Sequence, residues 1–167
     1  MTWRGSTTPT DRIFASLAYL LPLLDVVGIV GMMLLATNSF LAPLLAIILI
    51  PLGPLVQIYY GFGGFMPLIV FFALYMLVVR NDRIAHFIRF NVMQAILFGI
   101  LLSLFSIIWN YVLANILGPS NVITQTLFNT VFLAIVAGSG YGIIQSLLGR
   151  YAEIPTISEA AYTQVRY

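Results

Sequence analysis

The sequence predicts an all-α integral membrane protein: a four-helix bundle with one extra, proline-broken segment that is re-entrant or interfacial. Of its 167 residues, 61% are hydrophobic and only 7% are charged, whereas about a quarter of the residues of a soluble domain are charged. Residues 26–79 and 90–149 contain no Asp, Glu, Lys or Arg. Because so few charged residues cannot cover the surface of a water-soluble fold of this length, the apolar stretches must lie in lipid.

The arginines indicate which loops share one side of the membrane. They fall into three groups, at 4 and 12, at 80, 83 and 89, and at 150 and 166, and there is no lysine. Positive residues collect in loops on the inner side, so we expect all three groups there, separated by even numbers of spans. The excess of basic residues therefore indicates membrane topology, and we expect no nucleic-acid partner. Five spans, with the termini on opposite sides, is the competing interpretation.

The chain is predicted to open with a flexible N-terminus, residues 1–10, before a multi-pass domain over 11–150. Asp11 can cap the first helix because its carboxylate accepts from free amides at the positive end of the helix dipole. The first span is predicted at about 13–36. Pro22 predicts a kink in it, since proline removes one hydrogen bond of the helical ladder.

The second apolar stretch, residues 40–60, contains Pro43, Pro51 and Pro54. Three prolines disfavour a regular helix, so we expect a broken segment that does not cross. Its end, at Gln57 and the tyrosines that follow, is predicted to lie at headgroup level, where tyrosine is enriched.

Three further spans are predicted at about 65–79, 90–117 and 122–148, with the third helix already beginning at Arg83. A polar tail follows at 151–167. These spans and the first one place both termini on the inner side.

Asp25 is a carboxylate within the first span. Intramembrane acids are costly and tend to face a cavity or a partner, so one interpretation of Asp25 is a polar point on a conduction or docking path. The alternative is a local one, in which Asp25 caps the half-helix that follows Pro22.

Polar residues also surround the central charged loop. Arg83, His86 and Arg89 lie three residues apart, which predicts one polar side of an amphipathic entry helix, for anchoring to anionic headgroups or docking a partner. His86 is a surface histidine or, alternatively, a ligand for the magnesium of a chlorophyll. Asn91 and Gln94 are candidates to hydrogen-bond a neighbouring helix or to line a polar vestibule.

Small residues recur every four positions on the last span: Thr130, Ala134, Gly138, Gly142 and Ser146. Such a ladder lets helix backbones approach closely and predicts helix packing, within the chain or against a partner. Nothing in the sequence has the pattern of a catalytic motif, and there is no cysteine. We therefore predict no enzyme activity, no catalytic residue, no cofactor and no metal site.

Several motifs resemble one known family. They are residues 71–81 (FFALYMLVVRN), 86–97 (HFIRFNVMQAIL), 11–15 with 19–25, and 54–61 (PLVQIYYG). Together they resemble the family of the twenty-kilodalton subunit of the translocon at the inner envelope of chloroplasts, over roughly residues 11–150. The run at 86–95 is the most specific of them.

The resemblance implies a four-helix membrane protein with both termini on the stromal or cytosolic side. It also implies a part in moving preproteins across the inner envelope, with other membrane subunits and passenger polypeptides as partners. The first dozen residues show no transit peptide, unlike plant members, which suits a cyanobacterial or plastid-encoded type. The expected location is then a cyanobacterial plasma or thylakoid membrane, or the plastid inner envelope. In a cyanobacterium the expected role is in a related membrane-protein pathway or in complex assembly.

Two other functions stay open at this stage. One is an accessory or assembly subunit of a photosynthetic membrane complex. The other is a carrier of a small solute or proton that uses Asp25, Gln57, Asn91 and Gln94.

Overall fold

A computed structural model describes residues 7–165. All regular secondary structure in that range is helical, and no strand is present there. The helices are α1 (Pro9–Ala36), α2 (Ala42–Gly61), α3 (Met66–Val79), α4 (His86–Leu117), α5 (Val122–Leu147) and α6 (Ile157–Gln164). Four of them, α1, α2, α4 and α5, are long and apolar enough to cross a membrane. The predicted all-α membrane class is confirmed, and the predicted flexible N-terminus lies largely outside the described residues.

Helix α1 starts one turn earlier than predicted. Thr8 is the N-cap: its hydroxyl accepts from the Asp11 amide at 3.2 Å, and the Asp11 carboxylate accepts from the Thr8 amide at 2.9 Å. This reciprocal capping box satisfies two amides at once. The helix is interrupted at Tyr19, because Pro22 has no N–H to donate to the carbonyl four residues earlier.

Helix α2 differs from the predicted broken segment, because Ala42–Gly61 is one continuous helix. Pro43 lies in its first turn, where an amide has no helical partner to lose. Pro51 and Pro54 lie inside the helix but are both exposed, so their rings displace no packed neighbour. A hydrophobic pattern with prolines on its outer side is thus compatible with a helix.

Helix α3 is shorter than the roughly 20 residues that a span needs. Gly64, in the turn between α2 and α3, lines the same cleft as Asp25, near the middle of α1. The turn therefore contributes to the wall of this cleft. Which of α2 and α3 crosses the membrane stays a prediction.

Helix α4 is the centre of the bundle. It begins at His86, three residues later than predicted, and it packs against α1, α3 and α6. The main core joins buried side chains of α1, α4 and α5, among them Val30, Leu34, Phe98, Leu102, Phe128 and Phe132.

The predicted polar tail contains α6, which folds back onto α4. Ala161 and Val165 are fully buried, and the rings of Tyr162 and Phe90 lie 4.4 Å apart. The prediction of a polar tail missed this helix because the apolar residues of the tail are interspersed with polar ones.

Candidate functional site

A cleft of about 420 Å³ lies between α1, the end of α2, α3 and α4. Its walls are mainly apolar, and we name it the Asp25 cleft. The residues that line it include Asp25, Tyr60, Pro67, Leu68, Ile100 and Ser103. Leu68 and Ser103 are exposed at the surface, so the cleft opens to the side of the bundle.

The carboxylate of Asp25 lies at the base of this cleft and is only 8% exposed. Its Oδ1 accepts a hydrogen bond from the Tyr60 hydroxyl at 3.3 Å. Its Oδ2 faces Gly99 of α4, where an added Cβ would lie 3.1 Å away. Asp25 therefore faces the cleft and not the amides of its own helix, contrary to its interpretation as a helix cap.

Two glycines make room for this arrangement. The Tyr60 ring occupies the space where Gly28 would carry a Cβ, so a side chain there would displace the donor to Asp25. Gly99 admits the carboxylate in the same way. The result is a carboxylate held by the Tyr59 and Tyr60 hydroxyls within an apolar environment, where a polar group without a partner would cost several kcal/mol.

A second group of polar residues is sealed inside the bundle; we name it the polar cluster. It consists of Tyr19, Asn91, Gln94, Ser146 and Ser158, from α1, α4, α5 and α6, and all are buried. Asn91 and Gln94 thus lie against neighbouring helices, as one of the two interpretations proposed, and not in an open vestibule.

The hydrogen bonds of the polar cluster satisfy both amide side chains. Asn91 donates to the Phe87 carbonyl at 2.8 Å, and Gln94 donates to the Ala152 carbonyl at 2.9 Å and to Ser158 Oγ at 2.8 Å. The Tyr19 hydroxyl lies within hydrogen-bond distance of both amide oxygens. Such a network holds four helices in one arrangement.

Gln57 joins neither group. It is exposed on α2 and is not among the residues of the Asp25 cleft. The four residues of the carrier hypothesis, Asp25, Gln57, Asn91 and Gln94, are therefore not brought together.

The central loop differs from an amphipathic entry helix. Arg83 precedes α4, and Arg89 is buried: its Nε donates to the Val79 carbonyl at 2.9 Å and its Nη2 lies 3.1 Å from Asp82 Oδ1. This arginine therefore ties the end of α3 to α4. The predicted shared polar face is absent because the helix starts only at His86.

His86 is engaged with aromatic residues. Its Nδ1 lies 3.0 Å from the Tyr151 hydroxyl, and its ring stacks on Phe90 with the centroids 6.5 Å apart. These contacts link α4 to the segment that leads to α6. Among residues 7–165, no group of three or more metal-ligating side chains comes together.

The small-residue ladder of α5 divides into two parts. Gly138 and Gly142 pack against the rings of Phe98 and Tyr19, and Ser146 donates to Asn91 at 3.0 Å. Thr130 and Ala134 are exposed instead. The reason is geometric: a spacing of four residues rotates by about 40° per step around a helix of 3.6 residues per turn, so the ladder leaves the packed face.

The fold and these sites define a multi-pass helical membrane protein with a small set of buried polar residues. Residues 8–161 match the family described as "Chloroplast import apparatus Tic20-like". The chain belongs to this Tic20 family, which confirms the resemblance of its motifs.

Similar proteins come from cyanobacteria, algae and plants. A Tic20 family protein of Synechocystis is 52% identical over 157 residues, which are 94% of each chain. The Tic20 family protein Ycf60 of Gracilaria tenuistipitata is 35% identical over 163 residues, 95% of this chain and 76% of the relative. Protein TIC 20-v, chloroplastic, of Arabidopsis thaliana is 30% identical over 166 residues, 96% of this chain and 73% of the relative.

Proposed function

We propose that this chain is a non-enzymatic membrane subunit of a protein translocation or membrane-protein insertion complex. The family description, with its reference to import, supports the translocation pathway. In this proposal other membrane subunits complete the complex, and the substrate is a passenger polypeptide. Both termini face the cytosol or stroma.

The observation that carries the proposal is the lateral opening of the Asp25 cleft. A cleft with exposed, apolar walls and one buried acceptor suits contact with another polypeptide segment in the membrane. Apolar walls accept the side chains of a passing segment, and Asp25 with Tyr60 offers partners for its polar groups.

The other two functions have less support. A carrier path through Asp25, Asn91 and Gln94 would need these residues to share a cavity, but the polar cluster is buried and internally paired. A pigment ligand at His86 would have to displace its contact with Tyr151. Neither arrangement favours the carrier or the photosynthetic accessory subunit.

Site-specific photo-crosslinking tests the proposal. A photoreactive residue is placed at Leu68 or Ser103, on the walls of the cleft, in native membranes that hold an arrested passenger chain. The matched control is Ile144, which is also exposed but lies on α5. We expect passenger adducts from both cleft positions and few from the control; equal yields from all three, or none, would contradict the proposal.

A further inference from the structure

A second groove lies at the end of the bundle that carries the central charged loop. It runs between the start of α1, the end of α3 and the start of α4, and its volume is about 460 Å³. Its walls are almost wholly apolar, with Phe14, Leu17, Leu74, Val78, Ile84 and Ile88 among them. We name it the inner groove; Leu21 is the one residue that lines both it and the Asp25 cleft.

Two arginines flank this groove in the chain. Arg80 follows the wall residue Val78 by two positions, and Arg83 directly precedes the wall residue Ile84; both arginines are exposed. The carboxylate between them, Asp82, is 3.1 Å from Arg89. Within residues 7–165, neither Arg80 nor Arg83 forms an ion pair, so two positive charges remain available where the loop leaves the groove.

We propose that the inner groove binds a membrane lipid with an anionic headgroup. One acyl chain occupies the apolar groove, and Arg80 and Arg83 hold the headgroup. Charge complementarity selects this occupant: the loop lies between two long charge-free stretches, at the membrane surface, where arginines attract anionic lipids. A zwitterionic lipid can fill the same groove but gains less from two unpaired cations.

The structure changes which arginines perform this role. The sequence pattern suggested Arg83 and Arg89 as a headgroup-binding face, but Arg89 is buried and bonded to the Val79 carbonyl. Arg80, at the end of α3, takes its place. The proposal does not depend on protein translocation, so it can fail while the proposed function holds.

Native mass spectrometry of the full chain, released from lipid nanodiscs, tests the proposal. The nanodiscs contain equal amounts of phosphatidylglycerol and phosphatidylcholine, which have the same acyl chains. We expect the wild type to retain one phosphatidylglycerol in preference. Each of R80Q and R83Q should weaken this preference about fivefold, since each arginine near the surface contributes about 1 kcal/mol.

Two further variants separate the headgroup from the groove. R150Q removes another exposed arginine that does not line the groove, and it should leave the preference unchanged. Leu17→Trp fills the groove from an exposed position and should reduce retention of both lipids. Soluble glycerol phosphate, without an acyl chain, should not compete at concentrations that match the lipid.

Several results would overturn the proposal. Equal loss in R80Q, R83Q and R150Q would indicate a general effect of surface charge. Competition by glycerol phosphate would indicate a site for a free phosphate. A dimer that covers Leu17 and retains no lipid would assign the groove to a second copy of the chain. Thermal unfolding of each variant confirms that it is folded.

Discussion

The polar cluster and the Asp25 cleft are two ways of placing polar groups inside one membrane bundle. In the polar cluster, Asn91 and Gln94 are fully buried and bonded to partners on three other elements. In the Asp25 cleft, a carboxylate accepts from the Tyr60 hydroxyl at 3.3 Å, is also bonded by the Tyr59 hydroxyl, and has an open apolar space before it. The first arrangement is closed and the second is incomplete.

The difference suggests a division of roles. A saturated network resists rearrangement because each broken bond leaves a buried polar group without a partner. A partly satisfied acceptor beside a cavity gains when another molecule supplies a donor. We therefore expect substitutions in the polar cluster to change stability, and substitutions in the Asp25 cleft to change interactions with other chains.

The largest expected effect concerns membrane topology, because labelling of a position from one side of the membrane is all-or-none. The chain has no cysteine, so single cysteines can be introduced at exposed positions and labelled from either side. We expect the variants Asp82→Cys and Glu159→Cys to react with an impermeant maleimide from one side of the membrane, and Phe40→Cys and Ser120→Cys only from the other. Asp82 and Glu159 on opposite sides would mean that the loop and the tail share no aqueous face.

Gly142→Ala should cause the largest loss of stability. The added methyl group would overlap the Tyr19 ring and push its hydroxyl away from Asn91 and Gln94. Overpacking together with lost hydrogen bonds should lower the free energy of unfolding by about 3 kcal/mol, measured by denaturant titration in mild detergent. Gly140→Ala is the matched control: nothing lies within 4 Å of its added Cβ, and it should be neutral or slightly stabilising. A similar loss in both variants would contradict the packing described.

Gln94→Leu should have the next largest effect. It leaves the Ala152 carbonyl and the Tyr19 hydroxyl with one partner fewer in a buried site, which should lower the free energy of unfolding by about 2 kcal/mol. The same substitution at the exposed Gln57 should change it by less than about 0.5 kcal/mol. If the two glutamines behave alike, the polar cluster does not stabilise the bundle.

The smallest effects should come from the ion pair at the central loop. Arg89→Met removes both the bond to the Val79 carbonyl and the pair with Asp82, and it should cost about 1–2 kcal/mol of unfolding free energy. Asp82→Asn should cost less than about 1 kcal/mol, because the Asp82 side chain is 90% exposed and surface ion pairs contribute little. A cost for Asp82→Asn as large as that for Arg89→Met would show that the charge pair, and not the carbonyl bond, holds α3 to α4.

The all-helical membrane class was predictable because it follows from composition and from the lengths of the charge-free stretches, which are local properties of the sequence. Motifs such as HFIRFNVMQA indicated the family. Asn91 and Gln94 were recognisable as candidates for helix contacts, because two amides three residues apart inside an apolar stretch need partners.

The features that could not be predicted depend on which helix surfaces pack against each other. Tyr19 could not be identified as the partner of the Asn91 and Gln94 amides, because a tyrosine within an apolar stretch is counted as hydrophobic. The continuity of α2 depends on Pro51 and Pro54 facing outwards, which periodicity alone does not give. Arg89 is buried where it contacts the Val79 carbonyl at the end of α3, a contact between two helices that the sequence pattern does not give.

The division of roles is tested most directly by Asp25→Asn, which keeps the size of the side chain and an oxygen to accept from Tyr60. The free energy of unfolding and the yield of passenger adducts from a photoreactive residue at Ser103 are measured on the same variant. We predict an unfolding free energy within about 0.5 kcal/mol of wild type and a clear loss of adducts. A variant that unfolds as easily as Gln94→Leu, or that retains its full adduct yield, would contradict the account.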